Sequence, residues 1–452
     1  MKKLIVLGGG PGGNMAALTA ARHGVEGVVL VEQGAMGGTC TNRGCIPTKF
    51  FLSRLERMGS SLPPDEKGWK KLLTHKNALV RGLSSSIEKN CAAAGVEIAR
   101  GKGRLTGEHT VEVTGNDGHT SVLEGEKIII ASGSAPAEIP GLPLDGETVL
   151  SSTEALNLAR PPRSMVIVGS GAVGSEFAFI FHRAGTRVTV VEALDRLFPG
   201  EDGEVHHLFS SLYGKMGVEF VTGDPVAGAE RGRGGEVKVH LRSGTILEGE
   251  KVLVAAGRRL LTADIGLETA GIERGAGGEI AVDEELRTSS PDVFAVGDVT
   301  GRLLLAHLAS FQGVQAARAA VGKGSRPVPY HTVPWSIFTS PEIATVGVNE
   351  TEAERRKIKH TAALVPWMDN IKARIDRTTE GFVKVVADGK GRIIGGTVVG
   401  EHASDMIHIL SVAIHRKTTA ADLSGMVFAH PGLAETVYEA AQKLRHRLNP
   451  PS

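Results

Sequence analysis

The sequence predicts an α/β fold in which two units of one plan are followed by a smaller α+β domain. Three observations predict it. A short apolar strand, a glycine-rich turn and a helix occur twice: residues 3–7 lead into Gly8-Gly9-Gly10-Pro11-Gly12-Gly13, and residues 165–168 into Gly169-Ser170-Gly171-Ala172-Val173-Gly174. Each helix is followed by a second strand that runs up to an acid, 27–31 before Glu32 and 187–191 before Glu192. From about Pro327 the texture changes to strand-like runs and separate helices, which reads as a further domain.

The elements follow in order. Residues 3–7 and 165–168 are too short for helices, and glycine bounds both runs, so they are strands. Residues 64–94 are helical, with Ile87, Cys91 and Ala94 recurring on one face. Apolar strands at 127–133 and 251–257 close each unit on a glycine. Gly141-Leu142-Pro143 and Arg160-Pro161-Pro162 punctuate the passage between the units. In the last domain, 382–386 and 392–399 read as strands, 405–415 and 434–448 as helices, and 449–452 as a loose tail.

Composition narrows the function. Lysine plus arginine number 51 and aspartate plus glutamate 50, a net charge of +1, which argues against a nucleic-acid or membrane-surface binder. Three cysteines in 452 residues exclude a disulfide scaffold and suit a reducing compartment. The start imitates a signal peptide, but Gly8 cuts the apolar run short, and no stretch approaches the roughly 20 apolar residues of a spanning helix. A cytoplasmic protein is the expectation. The 59 glycines are about 13% of the chain against a usual level near 7%. They lack a Gly-X-Y period and point to tight turns and close backbone approaches to a ligand.

Strand, G-x-G-x-x-G and helix make a pyrophosphate site. The first glycine turns the chain, the second admits the phosphate, the third lets helix and strand touch, and the helix N-terminus offers free N–H groups. Glu32 and Glu192 lie 19 and 18 residues beyond Gly13 and Gly174, where an acid receives a ribose 2′-hydroxyl. Glu192 would repel a 2′-phosphate, which favours NAD over NADP. Cys40 and Cys45, in Gly37-Gly38-Thr39-Cys40-Thr41-Asn42-Arg43-Gly44-Cys45-Ile46-Pro47-Thr48-Lys49, fit no zinc or thioredoxin spacing. In a regular helix their Cα atoms would be about 8 to 9 Å apart, beyond the ~7 Å of a disulfide. They are therefore two buried thiols, or a redox pair on a segment distorted at Gly44. Their place just after a nucleotide turn favours the pair. Cys91 reads as core. In His430-Pro431-Gly432-Leu433-Ala434-Glu435, proline extends His430 and opens a helix whose first turn carries Glu435. That is either a helix start with a dipole-friendly acid or a histidine general acid–base oriented by a carboxylate.

With these residues assembled, the chain resembles the class I pyridine nucleotide–disulfide oxidoreductases end to end, over about residues 2–448, and most closely their dihydrolipoamide-oxidising branch. The resemblance rests on the two glycine motifs, the cysteine segment, Ala131-Ser132-Gly133, Ala256-Gly257-Arg258-Arg259, Phe294-Ala295-Val296-Gly297-Asp298 and the His430–Glu435 segment. It implies an FAD domain at 1–145 and 266–328, an NAD domain at 146–265, both Rossmann-like, and an α+β dimerisation domain at 329–448. It implies Gly8, Gly10, Gly13, Glu32, Gly103 and Gly133 on FAD, with Asp298 on its ribityl chain and Leu305, Ala306 and His307 near the ring. Gly169, Gly171, Gly174, Glu192, Val226 and Gly257 would line the NAD site. Lys49, paired with Glu176, would sit by the flavin, Cys45 would face it, and Cys40 would exchange with substrate across a Cys40–Cys45 disulfide. His430, oriented by Glu435, would come from the other subunit of a homodimer. No metal is implied. The substrate would be a small dithiol or disulfide, such as a lipoyl domain of a 2-oxoacid dehydrogenase or glycine-cleavage complex. Another small disulfide, a metal ion or a quinone would be a related substrate, and a non-catalytic flavoprotein subunit is the opposite reading.

Three features depart from the family pattern. Gly432 and Ala434 stand where hydroxyl residues are common. Arg43 puts a positive charge between the cysteines and could lower a thiol pKa. Leu260-Leu261 replaces the usual Pro-Asn after Gly-Arg-Arg.

Overall fold

The structure, a computed structural model, describes residues 2–58, 63–232 and 235–448; the expected tail at 449–452 lies outside the described residues. In the first unit, Lys2–Leu7 lies between Val28–Glu32 and Thr120–Ile130, parallel to both. Glu97–Arg100 and Val293–Ala295 extend this sheet in parallel on either side. Helices Pro11–Arg22 and Glu66–Ala93 cover the face of Leu4 and Val6, and strands Lys102–Gly107 and Thr110–Thr114 cover the face of Ile5 and Leu7, so the strand reads as a continuous apolar run. The second unit repeats the plan. Ser164–Val168 lies between Arg187–Glu192 and Lys251–Val254, with Glu219–Thr222 and Val149–Leu150 outside them, all parallel.

Each unit carries an antiparallel meander on its crossover, Lys102–Gly107 with Thr110–Thr114 in the first and Val226–Arg231, Val237–Leu241 and Ile246–Gly249 in the second. The meander explains two differences from the sequence reading. The strand expected at 127–133 is Thr120–Ile130, because its first half pairs with Thr110–Thr114. It stops before Gly133, as Lys251–Val254 stops before Gly257, since both glycines have positive φ, +76° and +119°. The helix expected at 64–94 is Glu66–Ala93, begun by Asp65, whose Oδ1 accepts the Gly68 N–H at 2.7 Å.

Helix Pro11–Arg22 takes proline in its first turn and crosses helix Ala306–Ala320 on small residues. A Cβ on Gly313 would come within 2.1 Å of the Gly12 carbonyl oxygen, so this crossing accounts for Gly313, a glycine outside any ligand motif. The C-terminal domain is a five-stranded antiparallel sheet, in the order Trp335–Ile337, Glu342–Gly347, Ile393–Gly400, Phe382–Asp388 and His360–Pro366. Alternation decides its packing. Ala344, Val383 and Val398 face helices Ala403–His415 and Glu435–Leu448. Their neighbours Ile343, Phe382 and Val399 join one core with Phe51, Trp69 and Phe181, which binds the sheet to the cysteine-bearing segment and the second unit. Among the described residues no helix is long and apolar enough to cross a membrane.

Candidate functional site

The two glycine turns are built alike. Gly8 and Gly169 have φ of +108° and +105°, values a side chain resists. A Cβ on Gly13 would meet the Gly8 carbonyl oxygen at 1.9 Å, and one on Gly174 the Gly169 carbonyl oxygen at 1.8 Å, so helix and strand touch there. The middle positions are open instead. A Cβ on Gly171 would meet nothing within 4 Å, and one on Gly10 only Gly38 Cα at 3.9 Å. Helices Pro11–Arg22 and Ala172–Arg183 have no side-chain cap, which leaves N–H groups aimed at that space. Both acids are fixed by the turn they face. Glu32 accepts the Gly9 and Gly34 N–H groups at 2.7 and 2.6 Å. Glu192 accepts the Ser170 N–H at 2.9 Å, the Ser170 hydroxyl at 2.8 Å and the Leu194 N–H at 3.0 Å.

A cavity of about 1600 Å³ extends from the first turn to the cysteines. Its wall contains Gly8, Gly10, Glu32, Gly103, Gly133, Asp298, Leu305, Ala306 and His307 together with Cys40, Cys45, Lys49 and Glu176. Gly13 sits behind the turn. Gly169, Gly171, Gly174, Glu192 and Gly257 belong to the second unit's own edge, outside that wall, and Val226 packs on the apolar cluster of Leu142, Val149 and Val191.

The cysteine segment is two helices, Gly38–Arg43 and Cys45–Arg57, broken at Gly44 with φ −142° and ψ −114°. The Asn42 amide staples the first to the carbonyls of Ala35, Met36 and Gly38 at 3.0 to 3.1 Å. The break brings the thiols together, Cys40 donating to Cys45, and Cys45 opens the second helix. The Cys40 hydrogen bond, aided by the Lys49 ammonium and against burial, lowers the Cys45 thiol from 9.0 to about 7. The same hydrogen bond and burial push Cys40 up. Arg43 is exposed and its charge bears on Arg258; Lys49 is the cation that lowers the thiol. Lys49 Nζ lies 2.8 Å from both Glu176 oxygens and 4.7 Å from the Phe338 ring centre, while Glu176 also accepts the Phe338 N–H at 3.0 Å. Cys91 is buried in the core and donates to Asn14 Oδ1 at 3.2 Å.

Asp298 accepts the Ser134 hydroxyl, which in turn accepts Arg258 Nε at 2.7 Å; Arg258 also reaches the Ser134 carbonyl at 2.7 Å. His307 Nε2 meets the Pro334 carbonyl at 2.8 Å, and burial lowers its pKa. Leu261, one of the departures from the family pattern, lines the cavity, and its backbone is held by Gly133 and Ser132. His430 Nδ1 lies 3.0 and 3.2 Å from the Glu435 oxygens, and Glu435 accepts the Gly432 N–H at 2.8 Å. That backbone bond first, and His430 second, hold the carboxyl below its ordinary range. Proline does not open this helix: the His430–Pro431 peptide is cis and the helix starts at Glu435. His430 is 63% exposed and lies outside the cavity wall.

Sequence reasoning missed Ser134, Arg258 as a partner of Asp298, and Phe338. Ser134 directly follows the Gly133 turn and was within reach of a motif; nothing local marks Phe338, which arrives from the C-terminal domain. Among the described residues no group of three or more His, Cys, Asp or Glu could hold a metal ion.

The sequence profile described as pyridine nucleotide-disulphide oxidoreductase matches residues 2–313, and that of the same family's dimerisation domain matches residues 333–441. The chain is similar to dihydrolipoyl dehydrogenase 2 of Haloarcula marismortui, 36% identical over 98% of this chain and 96% of that protein. It is 37% identical to the dihydrolipoyl dehydrogenase of Chlorobaculum parvum over 96% and 95%. Among solved structures it resembles LpdA from Mycobacterium tuberculosis, with a TM-score of 0.89 and 30% identity over 98% of this chain and 100% of that one. It also resembles the HOCl-induced flavoprotein disulfide reductase RclA from Escherichia coli in its Cu(II) complex, with a TM-score of 0.89 and 27% identity over 98% and 99%.

Proposed function

The chain belongs to the pyridine nucleotide-disulphide oxidoreductase family, and we propose that within it the protein is a dihydrolipoamide dehydrogenase. The reaction is dihydrolipoamide plus NAD⁺ to lipoamide, NADH and a proton. FAD bound in the large cavity supplies the two-electron relay between the cysteines and NAD⁺. The cavity fits it: the open face of Gly10 at a helix N-terminus takes pyrophosphate, Glu32 and Asp298 take hydroxyls, and the uncapped start of helix Ala306–Ala320 faces the same space. The open face of Gly171, with Glu192 beside it, suits NAD.

The chain's own residues divide the work. In the oxidised enzyme a substrate thiolate attacks Cys40 sulfur of a Cys40–Cys45 disulfide and releases Cys45 as the thiolate, a good leaving group at a pKa of about 7. Lys49, fixed by Glu176, faces that charge. The second substrate thiolate then displaces Cys40 and closes the substrate disulfide. His430, oriented by Glu435, takes the thiol protons. Since His430 lies outside its own chain's cavity, it acts on the partner's cysteines in a homodimer. The exposed Val412, Met426 and Val427 of the same domain, 61%, 52% and 99% accessible, support that assembly. We read 1–145 and 266–328 as the FAD domain, 146–265 as the NAD domain and 329–448 as the dimerisation domain. The protein partner is a lipoyl domain, and the location cytoplasmic.

The observation that carries the reading is the Cys45–Lys49–Glu176 arrangement on the wall of the cavity. Turnover with NADH and NADPH against lipoamide, glutathione disulfide and a quinone tests it. The fastest rate is expected with NADH and lipoamide; preference for another pair would overturn the substrate assignment. His430→Gln should slow dithiol oxidation by roughly a hundred- to ten-thousand-fold with flavin content unchanged. Near-parental turnover would remove His430 from the mechanism.

A further inference from the structure

Ser170 is the second residue of the second glycine turn and is completely buried. Its hydroxyl donates to Glu192 Oε2 at 2.8 Å and accepts the Phe198 N–H at 3.2 Å. Its backbone N–H reaches the same carboxylate oxygen at 2.9 Å, and its carbonyl accepts the Ser175 hydroxyl at 2.9 Å. Every polar atom of the residue is therefore used.

Phe198 gives the hydroxyl bond its meaning. It has φ of +52°, a left-handed value that is a genuine outlier for a bulky side chain. Its ring is locked in the core against Phe209, with ring centres 4.6 Å apart, so the backbone cannot relax by moving the side chain. The segment from Glu192 to Phe198 thus closes on one hydroxyl, with the acid at one end and the strained residue at the other. The first unit lacks this device. Gly9 stands in place of Ser170 and offers Glu32 only its N–H. A Cβ on Gly9 would press on Met36 Sδ at 2.9 Å and Glu32 Oε2 at 3.0 Å, which leaves no room for serine.

We infer that Ser170 is a positioning residue: its hydroxyl pins the Glu192 carboxylate toward the adenosine ribose, and the enzyme's discrimination between a 2′-hydroxyl and a 2′-phosphate depends on it. This rests on the reading of the second unit as the NAD site. A carboxylate held by three donors cannot turn aside, so it accepts the hydroxyl and repels the phosphate. Without the Ser170 hydroxyl the carboxylate can rotate out, and the Phe198 N–H loses its acceptor.

The test uses the FAD-loaded protein and two redox-inert probes, ADP-ribose and its 2′-phosphate, titrated by calorimetry. Loss of one hydrogen bond to a charged group predicts roughly tenfold or greater weakening of ADP-ribose binding in Ser170→Ala. It also predicts a narrower ratio between the two probes. If the alanine variant loses its flavin, Ser170→Gly, which copies the first unit, serves instead. In a Glu192→Gln background the same change should add little, because the residue acts through the carboxylate. Unchanged ADP-ribose affinity in Ser170→Ala, or equal losses in both backgrounds, overturns the inference. A parent protein that binds neither probe removes the NAD reading, and the inference with it.

Discussion

The two glycine turns share a backbone and differ in everything around it. The first opens into a cavity walled by the cysteine helices, Asp298 and the start of helix Ala306–Ala320. The second turn's Gly169, Gly171 and Gly174 lie outside that wall, and its acid is held by a side chain as well as by backbone. One motif therefore serves two kinds of occupancy. Enclosure suits a resident cofactor, and an open edge suits a co-substrate that must leave each turnover. The difference lies in what later segments bring to the turn, not in the turn.

The largest effect should come from the third glycines. Gly13→Val forces a side chain onto the Gly8 carbonyl and should yield a colourless, unstable protein. Gly174→Val meets the same clash in the second unit and should leave the flavin in place while NADH-dependent turnover collapses. Flavin absorbance per chain beside NADH oxidation separates the two. If both variants lost flavin equally, the units would not be independent sites.

A smaller effect belongs to the wall of the first site. Cys45 ionises at about 7, so steps that need its thiolate should rise as pH climbs through 7 and level above it. Lys49 lowers that value, so Lys49→Met should move the midpoint to higher pH. Glu176 raises it, so Glu176→Gln, which keeps the amide near Lys49, should move it lower. The alkylation rate of the reduced enzyme across pH reports the midpoint. A Lys49→Met midpoint that stayed at 7 would leave the Cys40 and backbone hydrogen bonds as the cause of the shift.

How far the sequence discloses this site depends on chain separation. Both turns, both acids, the cysteine pair and His430 with Glu435 sit in short motifs whose chemistry is local: each acid meets its own turn, the two thiols meet across Gly44, and Glu435 meets His430. The break at Gly44 was legible because a regular helix keeps residues five apart too distant. What was hidden comes from far along the chain. Phe338 reaches Lys49 and Glu176 from another domain, and Arg258 reaches Asp298 through Ser134. The role of Ser170 was hidden for another reason: a serine inside a glycine motif looks like a tolerated variant until the φ of Phe198 is known. The helix expected at 434–448 starts at Glu435, so Pro431 lies in the turn before it and does not open it.

The smallest effect concerns one polar tie of the second unit to the C-terminal sheet. Glu201 is fully buried and accepts the Thr345 hydroxyl at 2.8 and 3.0 Å. Next to it Asp202 and Lys384 form a buried pair at 3.1 Å that Glu204 and Glu350 extend. Burial raises the Glu201 carboxyl from 4.5 to about 8, so the folded protein holds a proton that the unfolded chain releases above about 4.3. Between those values the folded state binds more protons, and its stability must fall as pH rises, by about 1.4 kcal/mol per unit while the difference is a whole proton. Glu201→Gln keeps the shape without the ionisation. It should match the parent near pH 5 and exceed its melting temperature increasingly toward pH 8, with flavin content unchanged. A constant difference across that range would mean that Glu201 is already ionised in the folded protein. The second unit would then meet the sheet through one more buried charge beside the Asp202–Lys384 pair.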